Sequence, residues 1–244
     1  MPVDSQVQEI LDQYEKFGAP PIAKLSPENA RNTPTLKNAV EELVAHKLTN
    51  RMMTLAKPMP EPVGKIDHIL IPSPDGEVLA RVYTPDGDGP YPILVYFHGG
   101  GWVIANLDVY EPSCRALCNA ANCIVVSVAY RQAPEHKFPA AIEDAYAATQ
   151  WVLANAARLN GDPAHVAVGG ESAGGNLATV VCLRARDENR PMPIFQLLIY
   201  PVTNHSFNTG SYQENANAKP LSADMMPWFW KHYLHNDAEG THPY

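Results

Sequence analysis

Four short apolar runs, residues 93–97, 123–129, 165–168 and 194–200, constrain this chain more than any other feature. Three of the four are near-continuous β-branched or apolar stretches, the pattern of strands buried on both faces of a parallel sheet. Helical segments separate them, at about 109–119, 140–159 and 173–186. In the second segment Ile142, Ala145, Ala148 and Val152 form an inward stripe at helical spacing. Strand alternating with helix predicts βαβ units, so the fold class is α/β with a mainly parallel sheet and helices on both faces. Ahead of these runs, residues 66–71 and 77–83 are strand-like and joined by Pro-Ser-Pro-Asp-Gly, which predicts an antiparallel pair.

The flanks read differently. Val7, Ile10, Leu11, Tyr14 and Phe17 recur at three- and four-residue steps, and Leu36, Val40, Leu43, Val44 and Leu48 repeat the pattern, so the first sixty residues read as helical. Residues 57–62, with three prolines, read as a linker. After a polar stretch at 204–219, Phe229, Trp230, Tyr233 and Leu234 predict a short helix with Pro227 in its first turn.

Charge narrows the partners. Eighteen basic against twenty-six acidic residues give −8, which disfavours nucleic acid and anionic membrane surfaces. No apolar run approaches the ~18 residues of a membrane span, and no signal peptide is visible, so the expected location is cytoplasmic. Cys114, Cys118, Cys123 and Cys182 lack C-x-x-C spacing and a companion histidine. They are expected as packed free thiols, and no metal is expected.

Two glycine-rich motifs carry chemistry. Gly170-Glu171-Ser172-Ala173-Gly174 sits between an apolar strand, Val166-Ala167-Val168, and a helix bearing Leu177, Val180 and Val181. That context throws a serine hydroxyl above a sheet, with the unpaired N–H groups of the helix N-terminus beside it. The bland alternative is a serine that merely caps the helix. His98-Gly99-Gly100-Gly101-Trp102 directly follows the strand at 93–97. Successive glycines let backbone N–H groups approach a substrate and hold a developing oxyanion. The alternatives are a flexible loop or a phosphate-binding turn, but neither a dinucleotide-binding nor a Walker A spacing is present.

These stretches, with residues 130–140 (YRQAPEHKFPA) and Leu198-Ile199-Tyr200-Pro201, resemble the hormone-sensitive-lipase family of α/β-hydrolases, in its bacterial esterase branch. The resemblance implies an α/β-hydrolase core over 61–204, an N-terminal helical cap and linker over 1–60, and a second cap segment over 205–244. It implies Ser172 as nucleophile, the amides of Gly100, Gly101 and Ala173 as oxyanion hole, and His98, Gly99, Gly170, Glu171 and Gly174 as motif support. Trp102 is expected to line the substrate pocket, with ordinary core packing as the alternative. The substrates implied are small carboxylic esters of short to medium acyl chains, turned over without a cofactor. Arg131, Glu135 and Asp144 are expected to form a buried polar network near the site.

One departure from the family pattern stands out. In this fold the nucleophile is followed by an acid and then a histidine, and the segment after Tyr200 holds neither in its family context. His205, His232, His235 and His242 are expected as surface or cap residues. The expectation is a chain short of its last two strands, acid and histidine, with little or no ester turnover alone. Its strand 194–200 would form an exposed edge open to a homo-oligomer or to a missing C-terminal fragment. The competing readings are a non-catalytic ligand-binding protein on a hydrolase scaffold, and another acyl-transfer enzyme with the same serine turn.

Overall fold

The computed structural model describes residues 3–52 and 60–244, the side chains of 47–52 excepted. In chain order the elements are α1 (Ser5–Lys16), α2 (Pro27–Arg31), α3 (Leu36–Met52), β1 (Lys65–Ser73), β2 (Gly76–Thr84), β3 (Tyr91–Phe97), α4 (Leu107–Ala121), β4 (Ile124–Val128), α5 (Ala140–Asn155), β5 (Gly161–Glu171), α6 (Ala173–Asp187), β6 (Phe195–Ile199), α7 (Gly210–Glu214) and α8 (Met225–Tyr233). The chain divides into two compact units. One comprises Met1–Pro60 with Phe207–Trp228, the other Glu61–Ser206 with Phe229–Tyr244.

The larger unit holds a six-stranded sheet in the order β1-β2-β4-β3-β5-β6. β1 and β2 form an antiparallel hairpin, and β2 lies antiparallel to β4. β4, β3, β5 and β6 run parallel. This is the mainly parallel α/β architecture with an antiparallel start that the apolar runs predict. The runs are apolar because both faces are covered: every residue of β4 is buried, as are Val95 and Phe97 of β3 and Val166 and Val168 of β5. Cys114, Cys118 and Cys123 pack with Tyr83, Tyr96 and Val125 as free thiols, and burial pushes the Cys114 thiol up to about 12. β6 is different. It is the last strand of the sheet among the described residues, and Phe195 and Leu198 are exposed along it.

The expected polar network is present with altered membership. The Arg131 guanidinium donates to both oxygens of Asp144 at 2.9 Å, and its backbone N–H donates at 2.9 Å to Oδ2. Ser73 of β1 donates to Asp144 Oδ1, and Asp75 is the second carboxylate on Arg131. Glu135 lies exposed, and Ser73 and Asp75 at the hairpin turn join Arg131 and Asp144. Asp144 is 1% exposed, so truncating it removes a buried carboxylate and leaves the part-exposed Arg131 guanidinium to Asp75 alone. Asp144→Ala is expected to lower unfolding free energy by about 2 kcal/mol, measured by urea denaturation.

In the smaller unit, the Asp4 carboxylate caps α1 by accepting from Gln6 N at 2.8 Å, and Ser26 caps α2 through Asn29 N. Leu11, Ala30 and Ala39 are buried, and Gln13 donates to Glu42 at 2.6 Å between α1 and α3. The apolar stripes read from sequence are only partly used. Val7 and Val40 stay exposed, whereas Leu11 of the first stripe is buried. The side chain of Leu48 and residues 57–59 of the expected linker lie outside the described residues. From the tail, Trp228 Nε1 donates to Leu25 O at 3.0 Å.

Candidate active site

Strand register brings the two glycine motifs together. Phe97, the last residue of β3, pairs with Gly170 near the end of β5, so both chains leave neighbouring parallel strands at one level. The loop His98–Gly101 and the turn at Ser172 therefore emerge side by side, at the carboxyl ends of the strands, where ligands sit in open α/β sheets.

Ser172 occupies the N-cap position of α6 with φ 54° and ψ −119°. An ordinary N-cap has extended backbone and spends its side-chain oxygen on a helix N–H. Ser172 does neither: its hydroxyl makes no capping bond. A non-glycine residue at positive φ is strained, and the surroundings over-determine it here. Ser172 N donates to Ile199 O at 3.0 Å, and Val202 N donates to Ser172 O at 3.1 Å, so the end of β6 braces both sides of the turn. Gly174 permits the closest approach. A Cβ on it would lie 1.9 Å from Phe97 O, so only glycine lets the first turn of α6 rest on the end of β3.

The glycine loop turns back on itself. Gly100 has φ 107°, and a Cβ there would meet Ile104 O at 2.2 Å. Gly100 O accepts from Val103 N at 3.1 Å and Ile104 N at 2.9 Å. Among the described residues no backbone acceptor takes the amides of Gly100 or Gly101. Ala173 opens α6, so its amide also has no partner within the helix. Residues 130–140 brace this loop. Gln132 Nε2 donates to Ile104 O at 2.8 Å, Ala133 N to Trp102 O at 2.9 Å, and Tyr130 Oη to His98 O at 2.8 Å.

His98 is buried beneath the loop and stacks on Tyr130 at 4.4 Å between ring centroids. Its Nδ1 lies 2.7 Å from Gly99 O, which assigns the ring proton to Nδ1. Burial lowers its pKa to about 4, the Gly99 bond opposing only weakly. The folded state thus binds this proton less readily than the unfolded chain. The contribution is fully present above about pH 6.5 and lost as pH falls toward 4. Between pH 7 and 5 the His98 share is expected to fall by about 2 kcal/mol. Urea midpoints of the parent and His98→Asn should converge over that range.

Trp102, expected at the substrate pocket, is only 1% exposed. Its ring stacks on Tyr233 at 4.2 Å and meets Trp230 at 4.8 Å, both on α8. Its indole N–H, the Trp230 N–H and the Tyr233 hydroxyl are buried without a hydrogen-bond partner. A separate cleft of about 290 Å³, lined in part by Phe138, Ile142, Arg184 and His242, includes no residue of either motif. His205 meets the edge of Trp230 at 4.7 Å, and His242 meets Phe138 at 5.1 Å. Among the described residues no side chain hydrogen-bonds the Ser172 hydroxyl, and no cluster of His, Cys, Asp and Glu could hold a metal ion. No helix among them is long and apolar enough to cross a membrane.

The profile of a family described by its alpha/beta hydrolase fold matches residues 94–244, which carry both motifs. The chain belongs to the α/β-hydrolase family, in its hormone-sensitive-lipase branch. Relatives of this α/β-hydrolase include a carboxylic ester hydrolase, LipN, of Mycobacterium tuberculosis, 43% identical over 199 residues, which are 80% of this chain and 53% of LipN. A carboxylesterase of the same organism, NlhH, is 46% identical over 65% of this chain and 50% of its own length. The α/β-hydrolase chain thus spans about half the length of these curated relatives. Among solved structures, a hyperthermophilic esterase from Pyrobaculum calidifontis superposes with a TM-score of 0.81 at 36% identity, covering 100% of this chain and 73% of that one.

Sequence reasoning missed Tyr110 and Tyr200 beside the serine turn, and Phe229 against Gly101. Tyr110 and Phe229 lie on helices distant in sequence from the motifs they touch. Only their place on the inward face of a helix signals them.

Proposed function

We propose that this α/β-hydrolase chain carries a carboxylic ester hydrolase site, with Ser172 as nucleophile and the Gly100, Gly101 and Ala173 amides as oxyanion hole. The observation that carries the reading is the strained Ser172 turn whose hydroxyl is not spent on capping its helix. Strain retained where a cap would relax it fits a hydroxyl held for attack. The unspent loop amides fit donors waiting for charge that develops only in the transition state. The esterase names of its relatives support the same reaction class. We assign small esters of short to medium acyl chains as the substrates, with no cofactor in the chemistry.

In the reaction the serine oxygen attacks the ester carbonyl, the carbonyl oxygen takes up charge against the three amides, and the alcohol leaves. Water then releases the acid. A base must take the serine proton for this to be fast. No described side chain is bonded to Ser172 for that task, and this favours a second reading, ligand binding without turnover.

Hydrolysis of p-nitrophenyl acetate and butyrate by the purified 244-residue chain separates the two. Slow turnover that falls in Ser172→Ala is expected, down to the part that an oxyanion hole sustains without a nucleophile. A rate equal to background, together with saturable ester binding, would favour the binding protein.

A further inference from the structure

Gly99, Tyr110 and Glu171 meet where the glycine loop faces the serine turn. Tyr110 of α4 donates its hydroxyl to Glu171 Oε1 at 2.5 Å. A Cβ on Gly99 would lie 2.6 Å from the Tyr110 hydroxyl and 3.2 Å from Glu171 Cγ. The bonded pair therefore fills the notch that the missing side chain leaves. Tyr200, just after β6, brings a second phenol to the same carboxylate. Its backbone has φ 35°, a strained value for a bulky residue.

Among the described residues no cation forms an ion pair with Glu171. A negative charge thus stands one residue before the serine, answered only by neutral hydroxyls. Those hydroxyls keep their protons. Burial, and then the Glu171 charge, push Tyr110 far above the ordinary tyrosine range and Tyr200 up to about 12.

We propose that Glu171 and Tyr110 are positioning residues of the ester-hydrolase site. Tyr110 holds the Glu171 carboxylate in the Gly99 notch, turned from the volume where the substrate oxygen becomes negative. Released from Tyr110, that carboxylate opposes the developing oxyanion, because like charges repel strongly in a partly dehydrated site. The pair also ties α4 to both motifs, so their spacing is set from the side as well as through the β3–β5 ladder. The inference rests on the hydrolase reading.

Its distinguishing consequence is a rescue. Tyr110→Phe removes one hydroxyl oxygen and leaves the charge to Tyr200 alone, outside the Gly99 notch. Adding Glu171→Gln removes the charge as well. A contact that served only the fold would be damaged further by the second change.

The test is the second-order rate at which an alkyl fluorophosphonate labels Ser172 in the 244-residue chain, followed by intact mass. The Oγ–P bond forms, fluoride leaves and the serine proton passes to water, so no later turnover step is needed. Tyr110→Phe is expected to slow labelling about tenfold, and Tyr110→Phe/Glu171→Gln to restore it to within about twofold of the parent. Glu171→Asp keeps the charge but shortens its reach, and is expected to slow labelling as Tyr110→Phe does. Where ester turnover is measurable, the loss should fall on kcat with KM within about twofold.

Labelling of Tyr110→Phe at the parent rate overturns the proposal, as does a double variant no faster than Tyr110→Phe. Should Tyr110→Phe fail to fold, Glu171→Asp carries the test alone, and a parental rate there overturns the proposal. Parent labelling that survives Ser172→Ala overturns the hydrolase reading and this inference with it. Ser172-dependent labelling with no rescue overturns this inference alone.

Discussion

Ser172→Ala is expected to abolish phosphonate labelling and to lower ester turnover to what the oxyanion hole sustains without a nucleophile, while leaving the fold intact. The hydroxyl makes no capping bond, so its loss removes no interaction from α6. Far-ultraviolet circular dichroism and the urea midpoint should match the parent. Ser172→Gly goes further and separates strain from chemistry. Glycine accepts φ 54° without a Cβ penalty, so this variant should be inactive and more stable than the parent by about 1–2 kcal/mol. Stability gained as activity disappears would mean the backbone strain is retained for the hydroxyl it presents. An Ser172→Gly variant less stable than the parent would mean the turn is simply what the neighbouring strands allow.

Gly174→Ala is expected to have the largest effect on the fold of any single methyl addition near the site. The new Cβ would stand 1.9 Å from Phe97 O and 2.6 Å from His98 O, both backbone atoms, so no side chain can swing away. α6 must lift off the end of β3 or the loop after Phe97 must move. A loss of about 4 kcal/mol or more in unfolding free energy is expected, at the upper end for point substitutions. If the chain still folds, the Ser172 turn is displaced from the glycine loop, and labelling should fall with stability. Urea denaturation and labelling rate on one preparation check both. A Gly174→Ala protein of parental stability would contradict the described packing of α6 on β3.

The sheet was legible in the sequence because its strands are buried on both faces, which leaves continuous apolar runs such as Ile124–Val128. The serine turn was legible because its demands are local, a strand, a tight turn and a helix within a few residues. The Arg131–Asp144 bond was legible because buried charges must pair, but Ser73 and Asp75 were not, since their approach depends on where the hairpin folds. α4 is capped by Asn106, whose side chain accepts from the amides of Asp108 and Val109, and it continues through Pro112. The reading from pattern also ran through Pro112, but it started two residues late, past the Asn106 cap. The N-terminal stripes overstated their apolar faces: Val7 and Val40 are exposed while Ala39 is buried, and periodicity alone does not fix where on a helix the buried face is centred. Tyr110 and Glu171 lie far apart in the chain, and nothing local in either segment announces their bond.

The pairing of Phe97 with Gly170 also has a consequence in time. The two residues are about seventy positions apart, and the Tyr110–Glu171 bond that braces the same two motifs spans about sixty. During folding, a loop of that length must close before any site exists, and long closures form slowly. The helices between them form from local contacts and need not wait. Covalent capture of Ser172 therefore works as a clock for the central strand pairing. In refolding from urea, helical circular dichroism should return first, and the capacity to be labelled should appear only when β3 and β5 have found their register. A single-residue insertion in either strand would leave the helical signal's timing intact and silence the clock.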